Sequence, residues 1–147
     1  MPQLVCPACD AVNRLPDDRN PAEARCGRCG ERLFAGRPAD VTGPQLQAHR
    51  RAAKGPALLL DVWAPWCAPC RAMAPHFAAA AAQLEPVFRL LKLNSDAEPE
   101  AAAALGVSGI PALFLISDGR VIARTAGLMN TGQIVAWARQ ALAAKAA

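Results

Sequence analysis

Six cysteines in three pairs of identical spacing constrain this chain more than any other feature. Cys6–Cys9, Cys26–Cys29 and Cys67–Cys70 each enclose two residues. Met1 to Asp10 hold no positive charge followed by an apolar stretch, so no secretory leader is expected and the cytoplasm is the default location. There disulfides are rare, and clustered cysteines serve metal binding or redox chemistry. Three such pairs in 147 residues leave little room for a reading as inert buried thiols.

The first two pairs are separated by sixteen residues, a spacing typical of four-thiolate zinc sites. Two intervening residues let a tight turn point both sulfurs at one ion. Two such knuckles complete a tetrahedron with Zn–S distances of ~2.3 Å. Gly27 and Gly30 are expected to supply the unusual backbone angles of the second knuckle. Cys6, Cys9, Cys26 and Cys29 would then hold one structural Zn²⁺ with no open position for catalysis. Disulfides or two isolated redox pairs are the alternatives.

The segment around these pairs could not hold itself together by apolar burial. Residues 1–40 contain few large apolar side chains besides Leu4, Val5, Val12, Leu15, Leu33 and Phe34. A unit this small usually needs a metal or disulfides. Ala35–Asp40, with its Gly and Pro, reads as a linker. The expected division is therefore a metal module over 1–35, a linker over 36–40 and a second domain over 41–147. Charge separates them too: six Arg balance six acidic residues in 1–40, and the remainder carries the whole net charge of +4. No basic stripe points to nucleic acid, and no run approaches the ~20 apolar residues that span a bilayer.

The second domain reads as alternating elements. Thr42 and Gln45 form a capping box at the start of a helix running to about Lys54. Ala57–Trp63 is a continuous apolar run, as in a strand buried on both faces. A helix follows from about Cys67 to Leu84 with Pro75 inside it, where a kink is expected and Met73 and Phe77 pack. Then come a strand over Val87–Leu93 and a short helix over Pro99–Leu105. Strands Ala112–Ile116 and Val121–Ala126 are joined at a tight Asp118–Gly119 turn, and a helix from Thr131 to about Ala143 closes the chain. The fold class is α/β, a mixed central sheet with helices on both faces.

This order places Cys67 where a strand enters a helix. Unpaired backbone N–H groups and the helix dipole favour a thiolate there. A free thiol with a pKa of ~8.5 is only ~3% ionised at pH 7, so such help matters to a nucleophile. Cys70, one turn later, is expected to be more buried and to act as the resolving thiol. Trp63 reads as core and Trp66 as an exposed flank of the nucleophile. His49 and His76 read as solvated helix residues.

The run Asp61-Val62-Trp63-Ala64-Pro65-Trp66-Cys67-Ala68-Pro69-Cys70 resembles the active-site signature of the thioredoxins. Lys92-Leu93-Asn94, Gly109-Ile110-Pro111 and Gly127 resemble further signatures of that family, and the likeness covers about residues 41–143. With the four-cysteine extension, the chain is similar to the family's zinc-containing bacterial branch. The resemblance implies a thioredoxin fold, a catalytic pair Cys67 and Cys70, and a buried Asp61 that takes the Cys70 proton, tuned by Lys92. It also implies a substrate groove formed by Trp66, Ala68, Pro69, Ile110, Pro111 and Gly127, with a cis bond before Pro111. Asp61 as a backbone-bonded core residue and Lys92 as a solvated lysine are the plainer readings. Ala68 departs from the glycine usual between the cysteines, and Arg71 stands where lysine is common.

The implied activity is reduction of protein disulfides in electron transport, by a monomer that needs no bound organic cofactor. The implied partners are disulfide-containing proteins and a separate NADPH-dependent thioredoxin reductase, since no dinucleotide-binding glycine motif is present. The alternatives are an oxidising or isomerising member of the same fold, and a zinc-dependent chaperone or binding module on this scaffold.

Overall fold

The computed structural model describes residues 1–146. Its first part is a small two-stranded module. Strand β1 (Gln3–Val5) pairs antiparallel with β2 (Val12–Arg14), and a single 3-10 turn follows at Pro21–Glu23. Leu4, Leu15, Leu33 and Phe34 pack with Cys6 and Cys26 into a core of only six buried residues, too small to be self-sufficient.

The second part contains β3 (Ala39–Asp40), α1 (Gly43–Arg51), β4 (Ala57–Trp63), α2 (Ala68–Leu84) and β5 (Phe88–Asn94). It continues through α3 (Pro99–Ala104), β6 (Ala112–Ser117), β7 (Arg120–Ala126) and α4 (Thr131–Ala146). The sheet order is β3-β5-β4-β6-β7. β3 and β4 flank β5 in parallel, whereas β6 and β7 run antiparallel. The mixed sheet with helices on both faces is the expected architecture. β4 lies at its centre, which explains its continuous apolar sequence: Leu58, Leu60 and Val62 pack with Leu46 and Ala102, while Leu59 faces Met73, Phe77 and Ile134.

Local signals account for the boundaries. The Thr42 hydroxyl accepts from Gln45 N–H and the Gln45 side chain accepts from Thr42 N–H. The β6–β7 turn places Asp118 and Gly119 at φ of 52° and 79°, as a tight hairpin needs. α2 continues as one helix through Pro75. Two residues of the expected linker behave differently: Ala39 and Asp40 pair with Leu91 and Lys92 as the sheet's edge strand. No helix among the described residues is long and apolar enough to cross a membrane.

The small module rests on the larger one. Gln3 N–H donates to the Ala53 carbonyl at 2.8 Å, Ala53 N–H returns a bond to Gln3 Oε1 at 3.0 Å, and Gln45 Nε2 donates to Asp10 Oδ2 at 3.1 Å. Gly55 permits this approach, because a Cβ there would lie 2.8 Å from the Gln3 carbonyl oxygen.

Candidate active site and metal centre

The parallel strand β4 ends at Trp63, and the chain turns through Ala64–Trp66 into α2. Cys67 is the N-cap of that helix, with extended backbone angles, and its Sγ accepts from Cys70 N–H at 3.2 Å. A sulfur here replaces the usual oxygen cap, so the helix start supplies the donor that a thiolate at this position would use. Cys67 and Cys70 are joined as a disulfide, with their Cα atoms 5.2 Å apart. Both are buried, yet only Cys67 reaches the adjoining groove.

That groove, of about 620 Å³, is lined by Trp66, Cys67, Ala68, Pro69 and Ile110 together with Ser95, Ala102, Ala103, Val107, Ser108 and Gly109. Ile110–Pro111 is a cis peptide bond, as the resemblance implied, and the Ile110 carbonyl lies 3.9 Å from Cys67 Sγ. Pro111 is buried behind this wall, where its carbonyl accepts from Gly127 N–H at 2.8 Å. That bond ties Gly127 to Pro111 beside the groove. Trp66 is 67% exposed, and its indole N–H donates to Asp96 at 3.2 Å. Ser95, Val107, Ser108 and Asp96 escaped the sequence reading, because loop residues with no periodicity carry no local signal of a shared wall.

Asp61 sits in the middle of β4, in register with Lys92 on β5. It is 1% exposed, and its Oδ1 has no hydrogen-bond partner among the described residues. Burial pushes its carboxyl up to about 7, against the opposing pull of Lys92. The Lys92 ammonium lies 4.8 Å from the centroid of the Trp63 ring. Trp63 is partly buried, and its indole nitrogen is also without a partner there.

Cys6, Cys9, Cys26 and Cys29 converge at the other cluster, all four Sγ atoms lying within 4.8 Å of one another. Cys6 and Cys29 are 3.6 Å apart, as are Cys9 and Cys26. A tetrahedron with metal–sulfur bonds of ~2.3 Å has edges of ~3.8 Å, so the donor set fits a metal ion. Two backbone loops of matching design build it. Asp10 N–H bonds the Cys6 carbonyl and Gly30 N–H bonds the Cys26 carbonyl, each at 2.9 Å. Each loop ends in the left-handed region, Asp10 at φ 67° and Gly30 at φ 80°. The expectation for Gly27 is corrected: it has no positive φ, and Asp10 is the true counterpart of Gly30. Gly27 instead donates to Asn13 Oδ1 at 2.9 Å, while Asn13 Nδ2 donates to Cys26 Sγ at 3.4 Å. The Asn13 bond, with backbone N–H groups from the loop, holds the Cys26 thiol down at about 6.

The histidines also differ from expectation. His49 is 6% exposed, because the small module covers the last turn of α1. Burial, and secondarily Arg89, push its imidazole down to about 4. His76 is half-buried and bonds the Thr131 hydroxyl at 2.9 Å.

A dithiol pair at a helix start, beside a groove walled by a cis-proline loop, defines a thiol–disulfide oxidoreductase. Comparison with known proteins agrees. Residues 45–140 match the Thioredoxin family model, and residues 5–31 match a zinc-ribbon model described as Thioredoxin 2, N-terminal. Thioredoxin C-3 from Corynebacterium nephridii is 34% identical over 139 residues, covering 95% of this chain and 94% of that protein. A thioredoxin from Chlamydia muridarum is 42% identical over 78 residues, covering 53% of this chain and 76% of its own. Among solved structures, chloroplastic thioredoxin z superposes with a TM-score of 0.64 at 26% identity, covering 73% of this chain and 96% of that one. The chain belongs to the thioredoxin family and carries that family's Thioredoxin 2 type of N-terminal domain.

Proposed function

We propose that the chain is a protein-disulfide reductase in which Cys67 is the nucleophile. The observation that carries this reading is the placement of Cys67 Sγ, capped by Cys70 N–H and open to a groove of about 620 Å³. In the reduced protein the Cys67 thiolate attacks one sulfur of a substrate disulfide. A mixed disulfide forms and the other substrate sulfur leaves as a thiolate. Cys70 then gives its proton to Asp61 and attacks Cys67 Sγ, releasing the second substrate thiolate and leaving the Cys67–Cys70 disulfide. A carboxyl held at about 7 can accept that proton at neutral pH and release it afterwards. Lys92 restrains the rise, so that Asp61 is not locked in its protonated form. Trp66, Ala68, Pro69 and Ile110 receive the substrate, whose backbone pairs along Ile110 as an added strand, with Pro111 and Gly127 holding that edge in shape. A separate NADPH-dependent reductase restores the dithiol.

The metal is zinc, a borderline-soft ion that four thiolates hold in a closed structural site. Residues 1–35 form its module, residues 36–40 the connection, and residues 41–147 the catalytic domain. Insulin reduction with NADPH and thioredoxin reductase tests the activity, and metal analysis tests for one zinc per chain. Absence of insulin reduction by the fully reduced protein would remove the reductase reading.

A further inference from the structure

The junction between the two modules contains a buried ion pair that serves neither site directly. Arg89 is the second residue of strand β5 and is 2% exposed. Its Nη1 lies 3.5 Å from Glu85 Oε2, its Nη2 donates to the Leu33 carbonyl at 2.6 Å, and its guanidinium stacks 4.2 Å from the centroid of the Phe34 ring. Glu85 completes the clamp by accepting from Gly36 N–H at 3.1 Å. Two residues of the catalytic domain thus grip the segment that leaves the metal module. Phe34 and Leu33 belong to the same small core as Cys6 and Cys26.

A buried guanidinium needs an ion-pair partner and further hydrogen bonds that satisfy its remaining donors. Burial opposes its charge and Glu85 supports it, so the Leu33 carbonyl and the Phe34 ring matter to holding it there. His49 is held neutral and adds no second cation, while Asp10 faces it from the metal module.

We propose that Arg89, outside the metal's own ligands, is the residue through which metal occupancy stabilises the catalytic domain. The loaded module supplies the acceptor and the stacking ring that Arg89 requires. Loss of metal frees Leu33–Gly36 and leaves the Arg89–Glu85 pair half-compensated. Metal occupancy then adds to the stability of the catalytic domain, although module and domain remain distinct in fold and chemistry.

The test uses the full chain with Zn²⁺ as the probe. Because Arg89→Met alone strands a buried carboxylate, the main variant is Arg89→Met with Glu85→Gln, which removes both charges together. Arg89→Lys, which keeps the charge but not the planar fork, is the second variant. Zinc affinity is read by chelator competition, and the unfolding midpoint of the oxidised protein is read with and without zinc. The expected results are zinc binding about tenfold weaker in the double variant, and at least half of the zinc-dependent midpoint shift lost. Arg89→Lys should fall between native and double variant. An unchanged affinity, or a zinc-dependent shift retained by more than half, overturns the proposal. It rests on the zinc reading of the module: a native chain that takes up no zinc removes both, whereas a native chain that binds zinc without this coupling removes the present inference alone.

Discussion

The chain uses one spacing, Cys-x-x-Cys, for two opposite ends, and the backbone after the second cysteine separates them. At the metal site each pair is followed by a residue in the left-handed region, Asp10 or Gly30. The chain reverses there, and both sulfurs converge on those of the other pair. At the redox site the second cysteine is followed by fourteen more residues of a 17-residue helix, Arg71 to Leu84. The helix keeps the two sulfurs beside each other and shows the first to the groove. The two metal knuckles share charge among four donors, whereas the redox pair concentrates it on one sulfur at the helix start. Spacing therefore permits either chemistry, and local fold selects one.

The strongest way to break this comparison is to exchange the cysteines for serine. Cys67→Ser should lower insulin reduction by more than about a thousandfold, since it removes the attacking sulfur. Cys70→Ser should retain attack and accumulate mixed disulfides, visible by mass as covalent adducts. Cys29→Ser should instead leave reduction within about twofold of native at 25 °C, because the metal cysteines share no residue with the groove or the redox pair. Normal turnover by Cys70→Ser, or inactivity of a folded Cys29→Ser, would blur the distinction.

Metal removal comes next in size. Structural zinc contributes ~10–16 kcal/mol to folding in small peptides, and this module has six buried core residues to set against its loss. Chelation should abolish hydrogen-exchange protection over residues 1–35 while β4 remains protected. Equal loss of protection in both regions would mean that the chain has a single folding unit with no separate metal-dependent part.

How much of this was legible in the sequence follows from how local each signal is. The Thr42–Gln45 box, the Asp118–Gly119 turn and the continuous run Ala57–Trp63 are contiguous, and each fixes its own backbone. The four metal cysteines were legible because thiolate chemistry restricts them. The junction was not. Arg89 finds its acceptor at Leu33, 56 residues away, and as a lone arginine in a strand it carries no mark of burial. His49 lies on a helix face that looks polar until the small module covers it. Ala39–Asp40 becomes a strand only because β5 offers a free edge. Asp10 adopts its left-handed angle because the knuckle demands it, where sequence reasoning looked for glycine.

The redox side carries a smaller electrostatic cost that can be isolated. The Asp61 carboxyl at about 7 stands above its ordinary value of 3.8. The folded state therefore holds a proton that the unfolded chain has lost, and stability declines as pH rises from about 4 through 7. Asp61→Asn cannot lose that proton, so it should stabilise the oxidised protein by about 2–4 kcal/mol at pH 8 and by almost nothing at pH 4. Denaturant unfolding at both values decides this, and equal gains at each would assign the effect to packing. The same variant should slow resolution of the mixed disulfide between pH 6 and 8.

The metal side offers the opposite sign and the smallest effect. His49 is held at about 4, below the ordinary 6.5, first by burial and then by Arg89, with Asp10 pulling the other way. Here the unfolded chain gains a proton that the folded state refuses. Stability is full above about pH 6.5 and falls as pH drops towards 4, which opposes the trend from Asp61. At pH 5 the expected loss is about 2 kcal/mol. Acid also weakens thiolate–metal binding, so the native pH profile alone cannot isolate the imidazole. The contrast with His49→Leu can, because metal loss is common to both proteins. The native protein should lose about 2 kcal/mol more than the variant between pH 7.5 and 5. Parallel profiles would mean that His49 takes up its proton in the folded protein, with the junction open enough to admit water beside α1.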